Sequence, residues 1–221
     1  MKKSVLILCE TSGALRRRFA RRGWKAWSND VLPRQDGQSG EGVHVMGDAL
    51  RLLRNLQTNS FDMVIGHPPC TYLAGSGMHW TTRGLRDPKL TEHAIRFAEE
   101  MWTEAKRVAK HVVVLENPVG VLSTRSKLGK PAQYVQPYQF GDDASKRTGL
   151  WIAGRACPLL TPTKEVAPRI VDGKKRWSNQ TDSGQNKLAP SADRWQKRSA
   201  TFNGIADAIV DQIGGYVEGL A

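Results

Sequence analysis

The sequence predicts an α/β domain, a mostly parallel sheet with helices on both faces. Three observations carry this. Short apolar runs at residues 4–9 (SVLILC), 61–66 (FDMVIG) and 111–115 (HVVVL) read as strands buried on both sides. Helix-periodic segments separate them. Polar and reactive residues follow strand after strand, at the sheet edge where such folds bind ligands.

Taken in order, strand one (4–9) is followed by a turn at Gly13 and a helix over 14–22. Leu15 and Phe19 lie four apart on its inner face, and arginines lie opposite. Gly23 caps that helix. Residues 25–29 form a second strand ending at Asp30. A polar, glycine-rich loop spans 37–42. Residues 43–46 form a third strand, and Asp48 precedes a helix through Leu50, Leu53 and Leu56. The fourth strand ends at Gly66, before His67, Pro68, Pro69 and Cys70. The next helix has Asp87 as its cap and Pro88 in its first position, with Leu90, Ala94, Phe97, Met101, Ala105 and Val108 at spacings of three or four. Residues 111–115 make a strand ending at Glu116-Asn117-Pro118, and 149–153 another. From 159 to 198 periodicity fades into an irregular, basic insertion within a single domain of residues 1–221. A closing helix covers 204–217.

The chain has 221 residues, 39% hydrophobic and 24% charged, which are globular values. No apolar run is long enough to span a membrane, and the start, MKKSVLILCE, is too short and too soon charged for a signal peptide. A cytoplasmic monomer is expected. Cys9, Cys70 and Cys157 are odd in number and far apart, so neither a disulfide framework nor a metal site is indicated. The formal charge of +12 points to a polyanion, because neutralising phosphates releases counterions.

The loop ETSG turns between strand one and a helix, where backbone can approach a nucleotide-like group. Asp30 can accept from ribose hydroxyls, and Asp48 can hold an amino group. Cys70 stands on a proline-stiffened loop, an aimed position for a nucleophile. Together with Pro68-Pro69-Cys70 and Glu116-Asn117-Pro118, this order resembles the DNA cytosine-5 methyltransferases, most closely their small phage and prophage members. The resemblance covers about residues 4–154 and 199–214. It implies a Rossmann-like fold and S-adenosylmethionine as cofactor. The implied cofactor residues are Cys9, Glu10, Thr11, Ser12, Gly13, Asp30, Asp48, Pro69 and Asn203, the last from Phe202-Asn203-Gly204. It implies Cys70 as the nucleophile that adds to cytosine C6. Glu116, partly protonated in a desolvated site, would hold N3 and the exocyclic amine. Arg147 of Ser145-Lys146-Arg147 would touch the base O2 or a phosphate.

A positive surrounding is expected to lower the Cys70 thiol pKa. His67 stands where the family has Gly and is read as a hydrogen-bonded structural residue. Tyr72 and Trp80 are open to stacking or to core packing. Where the family has a recognition domain, this chain has about forty residues. Lys174, Lys175, Arg176, Trp177 and Arg194, with Trp195 nearby, suit backbone tracking and base stacking in duplex or single-stranded DNA. That predicts short or relaxed sequence specificity. Methylation of RNA or a free nucleotide, amino-group methylation of DNA, and a decayed nucleic-acid-binding protein remain alternatives.

Overall fold

The structure, a computed structural model, describes residues 2–37, 41–191 and 194–221, without the side chains of 195 and 196. Part of the expected 37–42 loop and the Trp195 ring therefore lie outside the described residues. The elements run β1 (Ser4–Leu8), α1 (Ala14–Arg21), β2 (Lys25–Asp30), β3 (Val43–Met46), α2 (Ala49–Asn55), β4 (Phe61–Gly66), α3 (Gly75–Thr82) and α4 (Pro88–Val108). They continue with β5 (Ala109–Pro118), α5 (Leu122–Arg125), β6 (Gln133–Val135), β7 (Thr148–Ala153), β8 (Arg169–Val171), β9 (Lys174–Arg176), α6 (Arg194–Ser199), α7 (Asn203–Ala208) and α8 (Gly215–Glu218).

Among the described residues the main sheet has seven strands in the order β3-β2-β1-β4-β5-β7-β6. The first five strands of that order pair in parallel, and β7 runs antiparallel to both β5 and β6. This is the Rossmann-like, mostly parallel sheet expected. The apolar runs explain it. Val5 and Ile7 point to one face, under Leu15 and Phe19 of α1 and Ile205, Ile209 and Ile213 of the closing helix. Leu6 and Leu8 point to the other, under Leu53 of α2 and Met101 and Ala105 of α4. Full burial of one such side chain stabilises by about 1.5–3 kcal/mol, so both faces hold their helices firmly.

The strand order reverses between β1 and β4. The crevice at the carboxyl ends of those strands is therefore the ligand edge.

Several elements differ from the sequence reading. Helix α3 follows the Pro-Pro-Cys loop directly; its two glycines, Gly75 and Gly77, disguise it. Gly77 and Gly120 admit close backbone: a Cβ on either would overlap a carbonyl, Thr71 O or Leu73 O, of the turn that carries Cys70. The 159–198 insertion is not wholly irregular. It holds the β8–β9 hairpin, whose two-residue turn places Asp172 at φ 48° and Gly173 at φ 71°. An Asp-Gly pair is the strongest short hairpin signal, and it stands in the sequence. The closing helix widens to a π-helix over Ile209–Gly214 between α7 and α8. Among the described residues no helix is long and apolar enough to cross a membrane.

Candidate active site

One open cleft of about 1090 Å³ lies along the carboxyl ends of β1, β2, β4 and β5. Cys9, Glu10, Thr11 and Ser12 line one end with Asp30; Pro69, Cys70, Glu116 and Arg147 line the other. Residues that are far apart in sequence thus share one wall.

At the first end, β1 leaves the sheet through Cys9, held at φ 58°, and reaches α1 through Gly13 at φ 67°. Glu10 is almost fully buried. Its Oε1 accepts from the Leu15 amide at 2.7 Å, at the start of α1, while its Oε2 has no protein partner. Burial pushes the Glu10 carboxyl above its ordinary value, against the pull of the Leu15 amide and of the His67 and Arg16 charges. Burial and the nearby Asp30 and Asp48 charges push the Cys9 thiol up to about 12, so Cys9 is an inert wall residue. Asp30 accepts from the Leu32 amide at 3.0 Å. These groups fit S-adenosylmethionine. A buried carboxylate oxygen without a donor suits an ammonium or hydroxyl group, and the acid at the end of β2 suits ribose hydroxyls.

At the second end, Cys70 opens a 3₁₀ turn immediately after the two prolines. Asn117, buried at the end of β5, donates to Pro68 O at 2.7 Å and ties the loop to the sheet. The Cys70 thiol is raised, not lowered. Burial is the main cause and Glu116 adds to it, against Lys146 and Arg198. The expected lowering is overturned because two nearby cations do not offset desolvation.

Glu116 departs from expectation in the opposite direction. Burial pushes its carboxyl up, but a hydrogen bond and the charge of His67, with Lys146 and Thr148, hold it below the ordinary value. His67 Nδ1 lies 2.9 Å from Glu116 Oε2, and both side chains are about 11% exposed. The expected partly protonated Glu116 is thus replaced by an ionised one beside a histidine. Neither residue's neighbours in sequence signal that contact; it forms because β4 and β5 are adjacent.

Not every expected residue reaches the cleft. Asp48 caps α2, accepting from the Arg51 amide at 2.7 Å, and lies outside the lining. Asn203 faces α1 instead, accepting from Arg18 Nη2 at 2.9 Å, and its neighbour Phe202 lines the cleft. Gly13 shapes the first turn without lining it. Of the expected nucleic-acid residues only Arg194 lines the cleft; Lys174, Lys175 and Arg176 lie on β9, away from it. Trp177 is buried, stacked on Tyr138 with centroids 4.1 Å apart, so its ring is unavailable to a base.

The sequence reading missed Lys146, Lys187, Lys197 and Arg198, which line the cleft. Arg147 is exposed and its guanidinium lies 4.2 Å over the Tyr134 ring. Trp80 of α3 lines the cleft at 46% exposure, and Tyr72 lies under Arg86. Among the described residues no three His, Cys, Asp or Glu side chains gather to hold a metal ion.

No family model matches the chain, and no curated protein matches its sequence. Solved structures show loose likeness. A candidate DNA modification methyltransferase encoded within a prophage of Escherichia coli is 15% identical over 96% of this chain and 70% of its own, with a TM-score of 0.43. Magnesium protoporphyrin IX methyltransferase from Synechocystis PCC 6803 with bound S-adenosylmethionine is 13% identical over 70% of this chain and 71% of its own, at 0.43. The bifunctional kinase-methyltransferase WbdD is 14% identical over 68% of this chain, at 0.40. The chain spans 34% of the WbdD length.

Proposed function

We propose that this chain is an S-adenosylmethionine-dependent methyltransferase that modifies cytosine C5 in DNA through Cys70. The observation that carries the reading is a single cleft shared by the β1 turn with its unpartnered Glu10 oxygen, the Cys70 thiol and the Glu116 carboxyl.

Cytosine C5 is a poor nucleophile. Addition of the Cys70 sulfur to C6 shifts the ring electrons so that C5 becomes nucleophilic, dividing one hard step into two easier ones. S-Adenosylmethionine, when bound, supplies an electrophilic methyl group. Glu10 and Asp30 would hold it at the β1 and β2 ends, and Glu116 would orient the base at N3 and its amine. Loss of the C5 proton and expulsion of the Cys70 thiolate then restore the aromatic ring.

Lys146, Arg147, Lys187, Arg194 and Arg198 around the rim, with the exposed Trp80, suit a nucleic-acid strand held by its phosphates and by stacking. About forty residues stand where the family has a recognition domain, which supports short or relaxed sequence preference and access to single strands, which carry no flipping cost.

One observation favours a second reading. A thiol kept protonated beside an ionised carboxylate is also what methylation of an exocyclic amine would use, the carboxylate accepting from the amine. The test is transfer of labelled methyl from S-adenosylmethionine by wild type and Cys70→Ala, to duplex DNA, single-stranded DNA, tRNA and deoxycytidine monophosphate. The expected result is 5-methylcytosine in DNA, abolished by the substitution. Label that survives Cys70→Ala refutes C5 chemistry in favour of the amine, and no cofactor binding by calorimetry refutes both.

A further inference from the structure

C5 chemistry at Cys70 asks Glu116 for a proton, yet the site holds Glu116 ionised. The neighbour that holds it so is His67, 2.9 Å away on the adjacent strand end. The other ring nitrogen, Nε2, is buried and has no protein partner, so the imidazole is anchored only through Glu116 among the described side chains. The residue follows β4 directly, and its amide is fixed by a bond to Leu8 O at 3.1 Å.

We propose that His67 and Glu116 work as one proton-holding pair, with His67 keeping the proton that Glu116 delivers to the base. This rests on the cytosine reading above.

The step balances as follows. The Cys70 thiol loses its proton to water and its sulfur forms the S–C6 bond. The C5=C6 pair becomes C4=C5, and the C4=N3 pair becomes a lone pair on N3. The one proton of the pair passes from His67 Nδ1 to the Glu116 carboxylate and on from Glu116 to N3, leaving a neutral imidazole beside an ionised carboxylate. When the ring is restored, the N3 proton returns along the same path. His67 is a positioning and proton-supplying residue, since it acts through Glu116. The charged and titratable groups facing the pair are Cys70 after β4, Lys146 before β7, Glu10 after β1, and Arg198 of α6, which acts on Cys70.

His67→Asn keeps a short donor toward Glu116 but cannot carry a proton; His67→Gln gives the same comparison with a longer amide should the first variant fold poorly. Two measurements decide. Carbon-13 NMR follows the Glu116 carboxyl, assigned with Glu116→Gln. Its titration should move upward in the variant, because only Lys146 and Thr148 then oppose burial. The pH profile of 5-methylcytosine formation should lose its alkaline limb at lower pH, because the proton now leaves a carboxyl rather than an imidazole. At pH 8 a loss of about tenfold or more is expected, since proton transfer by a placed group contributes on the order of 10²–10⁴-fold. A merely structural His67 would lower the rate equally at all pH. An unmoved alkaline limb or an unmoved Glu116 titration overturns the inference while the cytosine reading stands. A wild type that forms no 5-methylcytosine overturns both.

Discussion

Replacing Asn117 by Ala removes the amide that donates to Pro68 O at 2.7 Å. Asn117 is 1% exposed, so water does not simply take its place. A buried acceptor left without a donor costs about 1–3 kcal/mol. Part of that is recovered, because Asn117 Oδ1 has no protein partner and its burial ends with the substitution. The net loss should be about 1–2 kcal/mol. For a chain of this length that is a fall in Tm of roughly 2–8 °C. Asn117→Asp should be worse than Asn117→Ala. It aims a carboxylate at the Pro68 carbonyl and buries a second acid beside Glu116. Thermal and urea unfolding measure both variants, and the methylation assay reports whether a looser Pro68 displaces Cys70. The reasoning fails if the alanine variant matches wild type within 0.5 kcal/mol, or if the aspartate variant is no less stable than the alanine one.

Two further outcomes follow from the charges. Raised thiol pKa values mean little thiolate at pH 8, so iodoacetamide should label all three cysteines more slowly than glutathione; mass spectrometry should show Cys70 ahead of Cys157, which burial pushes up to about 11, and Cys9 last. A Cys9 that reacts first would contradict its burial. Asp36 is held below its ordinary value by Arg34 and Arg16 despite burial, and it pairs with the wholly buried Arg16 at 2.6 Å. A depressed carboxyl stabilises above its unfolded value, near 3.9, and that contribution is lost as pH falls through the folded value. Asp36→Ala should therefore cost about 3–5 kcal/mol at neutral pH, by leaving Arg16 charged and unpaired, with the deficit shrinking in acid. Urea titrations at pH 7 and pH 3 that show equal deficits would refute this.

The sequence by itself determined the strands and the reactive edge. Residues 4–9, 61–66 and 111–115 are continuous apolar runs, and only a strand buried on both faces uses such runs between amphipathic helices. Because parallel strands all end on one side, Cys70, Glu10, Asp30 and Glu116 had to gather there. Local signals were weaker where one feature masked another. Glycines mask the helical pattern of α3, and the Asp172-Gly173 hairpin turn is set among basic residues rather than apolar alternation. Only the tertiary structure decided what those gathered groups are chemically. Whether a thiol or a carboxyl is charged depends on burial and on neighbours from other strands, and periodicity carries no record of either. So Cys70 is raised by desolvation, Glu116 is ionised by His67 across the β4–β5 pairing, and Asn203 and Trp177 turn away from the cleft. A sequence states which side chains reach an edge; the packing of strands that are distant in the chain sets their charge and their partners.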